Sequence, residues 1–141
     1  MKLVLIAFLR LAGWAEMMLS WAMMPYEKLE AWKACDRLAH QIYRTTRIWP
    51  ATERYGLAKQ IRDAALSAPN NLAEGSAKRG AREFARFTDI AVGSLAEVHY
   101  LLGFARGEGI LNTDEFEDLV RTHTHAARLM WRLLRALRAA S

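Results

Sequence analysis

Residues 55–97 read YGLAKQIRDAALSAPNNLAEGSAKRGAREFARFTDIAVGSLAE, and this stretch decides the fold. It contains two apolar patterns with helical spacing, separated by a turn near residues 76–80. The first pattern predicts a helix over residues 57–77, because its apolar residues recur every three or four positions. The second predicts a helix over residues 81–106. Two such helices joined by a short turn indicate antiparallel neighbours in a helical bundle.

Small and helix-breaking residues interrupt both patterns. Pro69 removes one backbone donor and presses on the preceding turn, so we predict a kink in the first of these helices rather than its end. Asn70 and Asn71 follow, and their side chains are expected to bond backbone groups that the proline leaves unpaired. Gly93 and Ser94 form a small pair inside the second helix, where glycine has a low helix propensity. We expect another helix to cross closely there.

The chain on either side adds two more helices. Residues 26–48 keep helical spacing until Trp49-Pro50, where the residue before a proline avoids helical geometry. Asn112 is a good N-cap for a last helix that runs to about residue 139. No segment has a strand pattern. The predicted fold is therefore all-α: an up-down antiparallel four-helix bundle over residues 24–141 with a proline-kinked second helix.

The first 23 residues read MKLVLIAFLRLAGWAEMMLSWAM and allow three interpretations. They resemble the start of a signal peptide, but Arg10 interrupts the apolar run and no small-x-small cleavage site follows. Arg10 and Glu16 also make the uninterrupted apolar run much shorter than the roughly 20 residues of a membrane span. The remaining interpretations are an extra amphipathic N-terminal helix and a start codon assigned too far upstream. We prefer the last, because the helical pattern begins just after Met23.

Composition agrees with a single domain. The chain has 141 residues, of which 52% are hydrophobic, which is enough for a core without disulfides or metals. Cys35 is the only cysteine, so no intrachain disulfide can form and a reducing, cytoplasmic location is expected. Cys35 lies among apolar positions and is predicted to be a small core residue. The net charge of +5 suits an acidic partner such as nucleic acid.

The residue types that carry catalysis or bind metals are not suitably spaced. Glu97 and His99 are two positions apart and face different sides of a helix, so they do not form the Glu-x-x-His motif of di-metal bundles. Asp36 and His40 have a spacing that would let them share an ion, but a solvated polar pair is the simpler interpretation. No nucleophile elbow or phosphate loop is present. We therefore predict no enzymatic activity, no metal site and no cofactor.

Two polar residues beyond the proline lie on or near an apolar face. A buried carboxylate is costly unless it is paired or hydrogen-bonded. We therefore expect Asn71 and Glu74 to form a structural polar network, with Arg62, Lys78 or Arg82 as partner, that fixes the kink and the following turn. A functional site made of these residues is the alternative.

Basic residues form two clusters that suit phosphate contacts. The first lies at the turn and at the start of the third helix, and comprises Lys78, Arg79, Arg82 and Arg86. The second is a narrow stripe on the last helix, and comprises Arg121, Arg128, Arg132 and Arg135. Because arginine binds phosphate well, both are candidate nucleic-acid contacts, with a merely solvated face as the alternative. The aromatic residues, Trp131 among them, are expected in the core, so base stacking should add little.

Many residues of this stretch also match a known family pattern. The matches are Tyr55-Gly56-Leu57, Gln60-Ile61-Arg62, Ser67, Pro69, Asn71, Ala73-Glu74-Gly75, Glu83-Phe84, Arg86-Phe87, Ile90-Ala91, Gly93-Ser94-Leu95 and Glu97. They resemble the small four-helix-bundle proteins encoded in intervening sequences of bacterial 23S ribosomal RNA genes, and the related accessory protein of diversity-generating retroelements. The resemblance covers roughly residues 26–111. Asp63 and Val98-His99 depart from the charges common in that family.

The resemblance implies an assembly and partners. It implies a homopentamer of four-helix bundles whose basic surface contacts RNA or DNA. In the retroelement relatives the partner is a reverse transcriptase with its RNA template. No membrane contact is expected. The alternative is a scaffold protein without a nucleic-acid role.

Overall fold

Four α-helices form an antiparallel bundle in the computed structural model, which describes residues 24–141. They are α1 (Glu30–Thr45), α2 (Leu57–Ser76), α3 (Ala81–Gly107) and α4 (Thr113–Ala139). Short 3₁₀ helices at Pro25–Lys28, Thr46–Ile48 and Ala51–Glu53 flank α1. This described part contains no strand, so the predicted all-α class is confirmed. The predicted extension over residues 1–23, with its three interpretations, lies outside the described residues.

Contacts between side chains show the order of the helices. Gln41 near the end of α1 donates a hydrogen bond to Asp118 near the start of α4. Arg138 near the end of α4 donates to Asp89 in the first half of α3 at 2.8 Å. The main packing pairs are α1–α2, α2–α3, α3–α4 and α1–α4. Each helix therefore runs antiparallel to its neighbours, and α1 against α4 closes the predicted up-down bundle.

The core takes apolar side chains from all four helices. The largest fully buried ones include Leu38, Ile42, Ile61, Leu72, Leu102, Leu119, Met130 and Leu134. Each such side chain stabilises the fold by about 1.5–3 kcal/mol relative to an exposed position. Cys35 is fully buried among them, as predicted, and burial raises the pKa of its thiol to about 12, with a smaller contribution from the charge of Asp36. The thiol is therefore a packing group in the native state.

Helix α2 continues through Pro69, so the prediction that the proline does not end the helix is confirmed. The predicted role of Asn71 at this point is wrong. Its Nδ2 donates to the carbonyl of Ser67 at 2.8 Å, whereas the carbonyl that a proline at position 69 deprives of its helical donor belongs to Ala65. The reason is geometric, because a side chain on a helix reaches the residue four positions earlier.

Helix α2 approaches α3 closely at Gly75. A Cβ atom there would lie 2.7 Å from Cβ of Phe87 and 2.8 Å from Cδ2 of Phe84, so no side chain fits. Gly93 was predicted to lie at a close crossing, but a Cβ there would meet no atom within 4 Å. Its neighbour Ser94 does face α2 and is buried. Of the pair Gly93 and Ser94, only Ser94 therefore lies at the crossing of α2 and α3.

The N-terminus of α4 is capped as predicted. The backbone N–H of Glu115 donates to Oδ1 of Asn112 at 2.9 Å, and the Asn112 N–H donates to Oε2 of Glu115 at 3.4 Å. This reciprocal arrangement satisfies two backbone donors and fixes where α4 starts. None of the described helices combines the length and the apolar character that a bilayer span requires.

Candidate nucleic-acid interface

The exposed face of α4 forms one wall of a concavity between α3 and α4. Arg128, Arg132 and Arg135 line it, and its volume is about 450 Å³. All three arginines are exposed, and none forms an ion pair with another residue of the described chain. We call this feature the arginine concavity. It places three guanidinium groups where one ligand can meet them together.

The fourth arginine of the predicted stripe is placed differently. Arg121 lies outside the concavity and donates to Asp118 at 3.0 Å. Arg138, near the end of α4, donates to both carboxylate oxygens of Asp89 at 2.8 and 2.9 Å. The positive charges at both ends of the α4 face are thus balanced by carboxylates. Arg128, Arg132 and Arg135 lie between these two ends. No carboxylate of the described residues balances their charges.

Trp131 lies in the same concavity, and its side chain is 50% exposed. The prediction that this residue packs in the core is therefore wrong. The buried arc of α4 centres on Ala126, Met130 and Leu134, which are all fully buried. Trp131 follows Met130 by one residue, about 100° around the helix, and so lies at the edge of that arc. The expectation that base stacking adds little assumed that no exposed aromatic ring lies among the arginines, and Trp131 removes that premise.

The first predicted cluster is partly neutralised by carboxylates. Nζ of Lys78 lies 3.5 Å from Glu74, and Nε of Arg86 lies 3.3 Å from Glu83. Both cations also sit over the ring of Phe87, at 5.4 and 4.5 Å from its centroid. These contacts hold Lys78 and Arg86 against the α2–α3 turn. They are weaker candidates for phosphate contacts than the three arginines of α4.

Arg79 and Arg82 complete that cluster. Both are exposed and lack an ion pair within residues 24–141. They lie where α2 meets α3, which is also the end of the bundle where α4 terminates. Arg79 and Arg82 therefore lie in the same half of the bundle as Arg128, Arg132 and Arg135, whereas Arg121 lies near the start of α4.

The predicted network does not join Asn71, Glu74 and Arg62, but Lys78, another of its expected partners, does pair with Glu74. Glu74 is exposed and pairs with Lys78, because it follows the fully buried Leu72 by two residues, about 200° around α2. Arg62 lies twelve residues from Glu74, roughly 18 Å along a helix. The three residues thus belong to separate local structures.

A different polar chain links α2 to α3. Asn71 Nδ2 donates to Oγ of Ser67 at 3.2 Å, and Oγ of Ser67 lies 2.7 Å from Oγ of Ser94. Ser94 donates its hydroxyl proton to the carbonyl of Ile90 at 3.1 Å, so Ser67 is the donor to Ser94. This chain fixes the register of the two helices. The spacing of Ser67 and Asn71, four residues apart, is the signal in the sequence that could have indicated this chain.

The family model described as "23S rRNA-intervening sequence protein" matches residues 27–132. The chain belongs to this family. The match spans α1, α2, α3 and most of α4, so it extends further than the resemblance inferred from the sequence. It includes Arg128 and Arg132 and ends before Arg135. No curated protein matches the chain significantly.

A buried histidine forms part of the arginine concavity of this intervening-sequence family member. Nε2 of His123 lies 2.7 Å from the carbonyl oxygen of Leu95, so Nε2 carries the proton and donates. Burial lowers the pKa of His123, and nearby His99 lowers it further, while the bond to Leu95 acts in the opposite direction. The two imidazole rings are 5.2 Å apart. His123 therefore holds α4 to α3 as a neutral group.

The remaining candidate for an ion is the pair of Asp36 and His40. Its Oδ2 and Nε2 atoms are 3.7 Å apart and both side chains are well exposed. Across residues 24–141, no three histidine, cysteine, aspartate or glutamate side chains come together as a metal site would need. The pair fits the simpler interpretation of two solvated polar groups.

Proposed function

We propose that this member of the 23S rRNA-intervening sequence family is a non-enzymatic protein that binds the phosphate backbone of RNA or DNA through the arginine concavity. The observation that carries the proposal is the arrangement of Arg128, Arg132 and Arg135. They line one concavity and have no carboxylate partner in the described chain. Guanidinium groups match phosphate geometry and cannot be neutralised by deprotonation.

The number of arginines without a carboxylate partner favours a polyanion, which offers many phosphates, over a small acid. Each phosphate that the protein neutralises adds about 0.9 to the slope of log affinity against log salt for duplex DNA, and about 0.7 for a single strand. Three arginines in one concavity therefore give a slope of about 2 to 3. The exposed pair Arg79 and Arg82 lies in the same half of the bundle and would extend the contact.

Trp131 supports a single-stranded ligand. Its half-exposed indole lies beside the arginines and offers a face on which a base can stack. Stacking of a base on an aromatic side chain contributes about 1–3 kcal/mol and tolerates any base. Bases inside a duplex are already stacked and leave such a ring unused. The proposal therefore gives a preference for single strands over duplexes and little dependence on sequence.

The non-enzymatic part of the proposal rests on side chains that are already engaged. Ser67 and Ser94 bond each other, and His123 is held by the carbonyl of Leu95. Burial raises the pKa of Cys35 to about 12, which keeps its sulfur protonated at neutral pH. A reduced thiol also suits a cytoplasmic location, where the proposed nucleic-acid partner would be met.

Self-assembly forms the second part of the proposal. Eight large apolar side chains are exposed on the described chain, among them Ile48, Tyr55, Tyr100 and Phe104. Exposed apolar groups are typical of contact surfaces. The ring of five and a reverse transcriptase partner are supported by the resemblance alone. If nucleic acid does not bind, these apolar side chains favour the alternative of a scaffold protein.

The proposal is tested by binding of a fluorescently labelled single-stranded oligonucleotide. Arg128→Ala with Arg132→Ala should weaken binding strongly and by a similar factor on unrelated sequences. The matched control is Arg37→Ala with Arg44→Ala, which removes the same charge from exposed positions of α1. The control should bind nearly as well as the wild type. Equal losses in the two double variants would contradict a role for the concavity.

A further inference from the structure

A second basic cavity lies at the corner where α1 ends and α2 begins. Its volume is about 280 Å³, and its walls include Arg47, Trp49, Arg54 and Arg62. It is on the end of the bundle where α4 starts, as the contact from Gln41 to α4 shows. The arginine concavity lies roughly 20–30 Å further along the helical rise of α4. We call this second feature the corner cavity.

At this corner the chain changes direction sharply between α1 and α2. The 3₁₀ helix Thr46–Ile48 ends α1, and Trp49 adopts an extended backbone before Pro50. This turn brings Arg47, before the proline, and Arg54, after it, to the same cavity. The proline favours the extended geometry of Trp49, so the arrangement is encoded locally.

Arg62 is held in place from α2. Its Nε donates to Oγ1 of the buried Thr46 at 2.7 Å, and its guanidinium lies over the ring of Tyr43, 5.1 Å from the centroid. Thr46 in turn donates to the carbonyl of Ile42 at 2.8 Å. These contacts orient the guanidinium and leave its terminal nitrogens without an acceptor among the described residues. A preset guanidinium loses little entropy when it binds an anion.

No carboxylate balances the charge of the corner cavity within the described chain. None of Arg47, Arg54 and Arg62 forms an ion pair there. The neighbouring carboxylate of Glu53 instead accepts from the N–H of Leu57 at 3.4 Å and does not line the cavity. Cations that share a cavity without an anion repel each other. An anion in the cavity would remove this repulsion.

Trp49, which lines the same cavity, supplies an independent observation. Its side chain is only 8% exposed, yet Nε1 has no hydrogen-bond acceptor, and no other buried side-chain nitrogen or oxygen within residues 24–141 lacks a partner. Nearly all buried donors in proteins are paired, and an unpaired one costs about 1–3 kcal/mol. Nε1 is closed to solvent, so a ligand oxygen reaches it only after flexible side chains of the cavity rearrange.

We propose that the corner cavity binds a phosphate monoester, with the three arginines balancing its charge and Trp49 Nε1–H donating to one of its oxygens. A phosphate monoester carries up to two negative charges and three terminal oxygens, which suit three guanidinium groups and one further donor. A carboxylate offers only two oxygens and one charge. A strand terminus and a free phosphate compound are the two sources of this group, since both present the same chemistry. This site is separate from the proposed function and does not depend on it.

The indole N–H signals of the full chain in a proton–nitrogen correlation spectrum report on the site directly. The chain has five tryptophans, and Trp49→Phe identifies the signal of Trp49 by its loss. Inorganic phosphate added at constant ionic strength should shift the Trp49 signal saturably. An unchanged Trp49 signal throughout the titration would overturn the proposal.

Variants of Arg47 and Arg54, the two exposed arginines of the corner cavity, show whether the phosphate response belongs to this site. Arg47→Ala with Arg54→Ala should weaken the phosphate response at least about tenfold, the equivalent of one charge-assisted hydrogen bond. Arg37→Ala with Arg44→Ala removes the same charge outside the cavity and should leave the response unchanged. The other indole signals show whether each variant is folded. Equal responses in the two double variants would also overturn the proposal.

Oligonucleotides distinguish the two sources of the phosphate. If strand ends are bound, a 5′-phosphorylated single strand shifts the Trp49 signal at lower concentration than inorganic phosphate, and a 5′-hydroxyl strand does not. If free phosphate compounds are bound, the phosphorylated strand has no such advantage. Both results support the site. Arg128→Ala with Arg132→Ala should keep the phosphate response of the Trp49 signal. Failure of the proposed nucleic-acid binding can therefore be distinguished from failure of this site.

Discussion

Gly75 and Gly93 both lie inside helices, but only Gly75 touches a neighbouring helix. Gly75→Ala should lower the free energy of unfolding by about 1–3 kcal/mol, because the new methyl group meets Phe84 and Phe87. Gly93→Ala should instead raise it by about 0.5–1 kcal/mol, since alanine favours the helix and open space surrounds that position. Urea unfolding of the two variants measures both effects. Changes of the same sign would contradict the described packing of α2 on α3.

His123 should make stability depend on pH. Its pKa in the folded chain lies below the ordinary value of about 6.5, so the unfolded chain binds more protons between these two values. Stability is therefore complete above about pH 6.5 and falls as the pH drops towards the folded pKa. The loss cannot exceed about 1.4 kcal/mol per pH unit for one proton.

Urea midpoints across this pH range test the effect. His123→Gln keeps a donor near Nε2 but does not titrate, so its stability should change less with pH than that of the wild type. His40→Gln, at an exposed position, should retain the wild-type dependence. Parallel curves for the wild type and His123→Gln would show that His123 is not the responsible group.

The contact between α2 and α3 depends on the pair Ser67 and Ser94. Ser94→Ala leaves the hydroxyl of Ser67 without its acceptor and should cost about 1–3 kcal/mol. The double change with Ser67→Ala should cost less than the sum of the two single changes, because both partners are then removed together. A thermodynamic cycle from urea unfolding gives the coupling. Additive costs would mean that this hydrogen bond does not link the helices.

Glu74, by contrast, should matter little. It forms an exposed pair with Lys78, and such pairs contribute about 0–1 kcal/mol. Glu74→Ala should therefore leave the urea midpoint almost unchanged. A loss of stability as large as that of Ser94→Ala would show that the Glu74 carboxylate is needed for the fold.

The helices could be predicted from the sequence because their signals are local. Periodicity located α2 and α3, and the cap at Asn112 located the start of α4. Errors arose at residues near the edge of a buried arc, where a small rotation decides exposure. Trp131 and Glu74 are of this kind. Periodicity gives the mean direction of an apolar face but not its width.

The candidate sites could not be predicted from the sequence alone, because they depend on how the helices pack. The pairing of Arg138 with Asp89 joins residues far apart in the chain, so no spacing rule could separate it from the free arginines of α4. Likewise, the corner cavity depends on the approach of Arg62 to Thr46. The sequence showed that α4 carries an arginine stripe. It could not show which of those arginines remain without a carboxylate.

Assembly of several chains is expected from the exposed apolar side chains. Light scattering should give a mass of several chains, and of about five if the ring implied by the family resemblance forms. Tyr100→Ser with Phe104→Ser should reduce that mass if α3 provides the interface, and Ile48→Ser with Tyr55→Ser should do so if the corner of α1 and α2 provides it. All four side chains are exposed, so the fold should persist. A wild-type mass of one chain would contradict the assembly.

The most direct test of nucleic-acid binding is the salt dependence of affinity for a single-stranded oligonucleotide, measured from about 50 to 200 mM salt. Loss of Arg128 and Arg132 removes two phosphate contacts, so the slope of log affinity against log salt should fall by about 1.4 relative to the wild type. Trp131→Ala should weaken binding with little change in slope, because stacking carries no counterions. The exposed α1 control, Arg37→Ala with Arg44→Ala, should keep the wild-type slope. No binding by the wild type at about 50 mM salt, or an unchanged slope after loss of Arg128 and Arg132, would contradict the proposed interface.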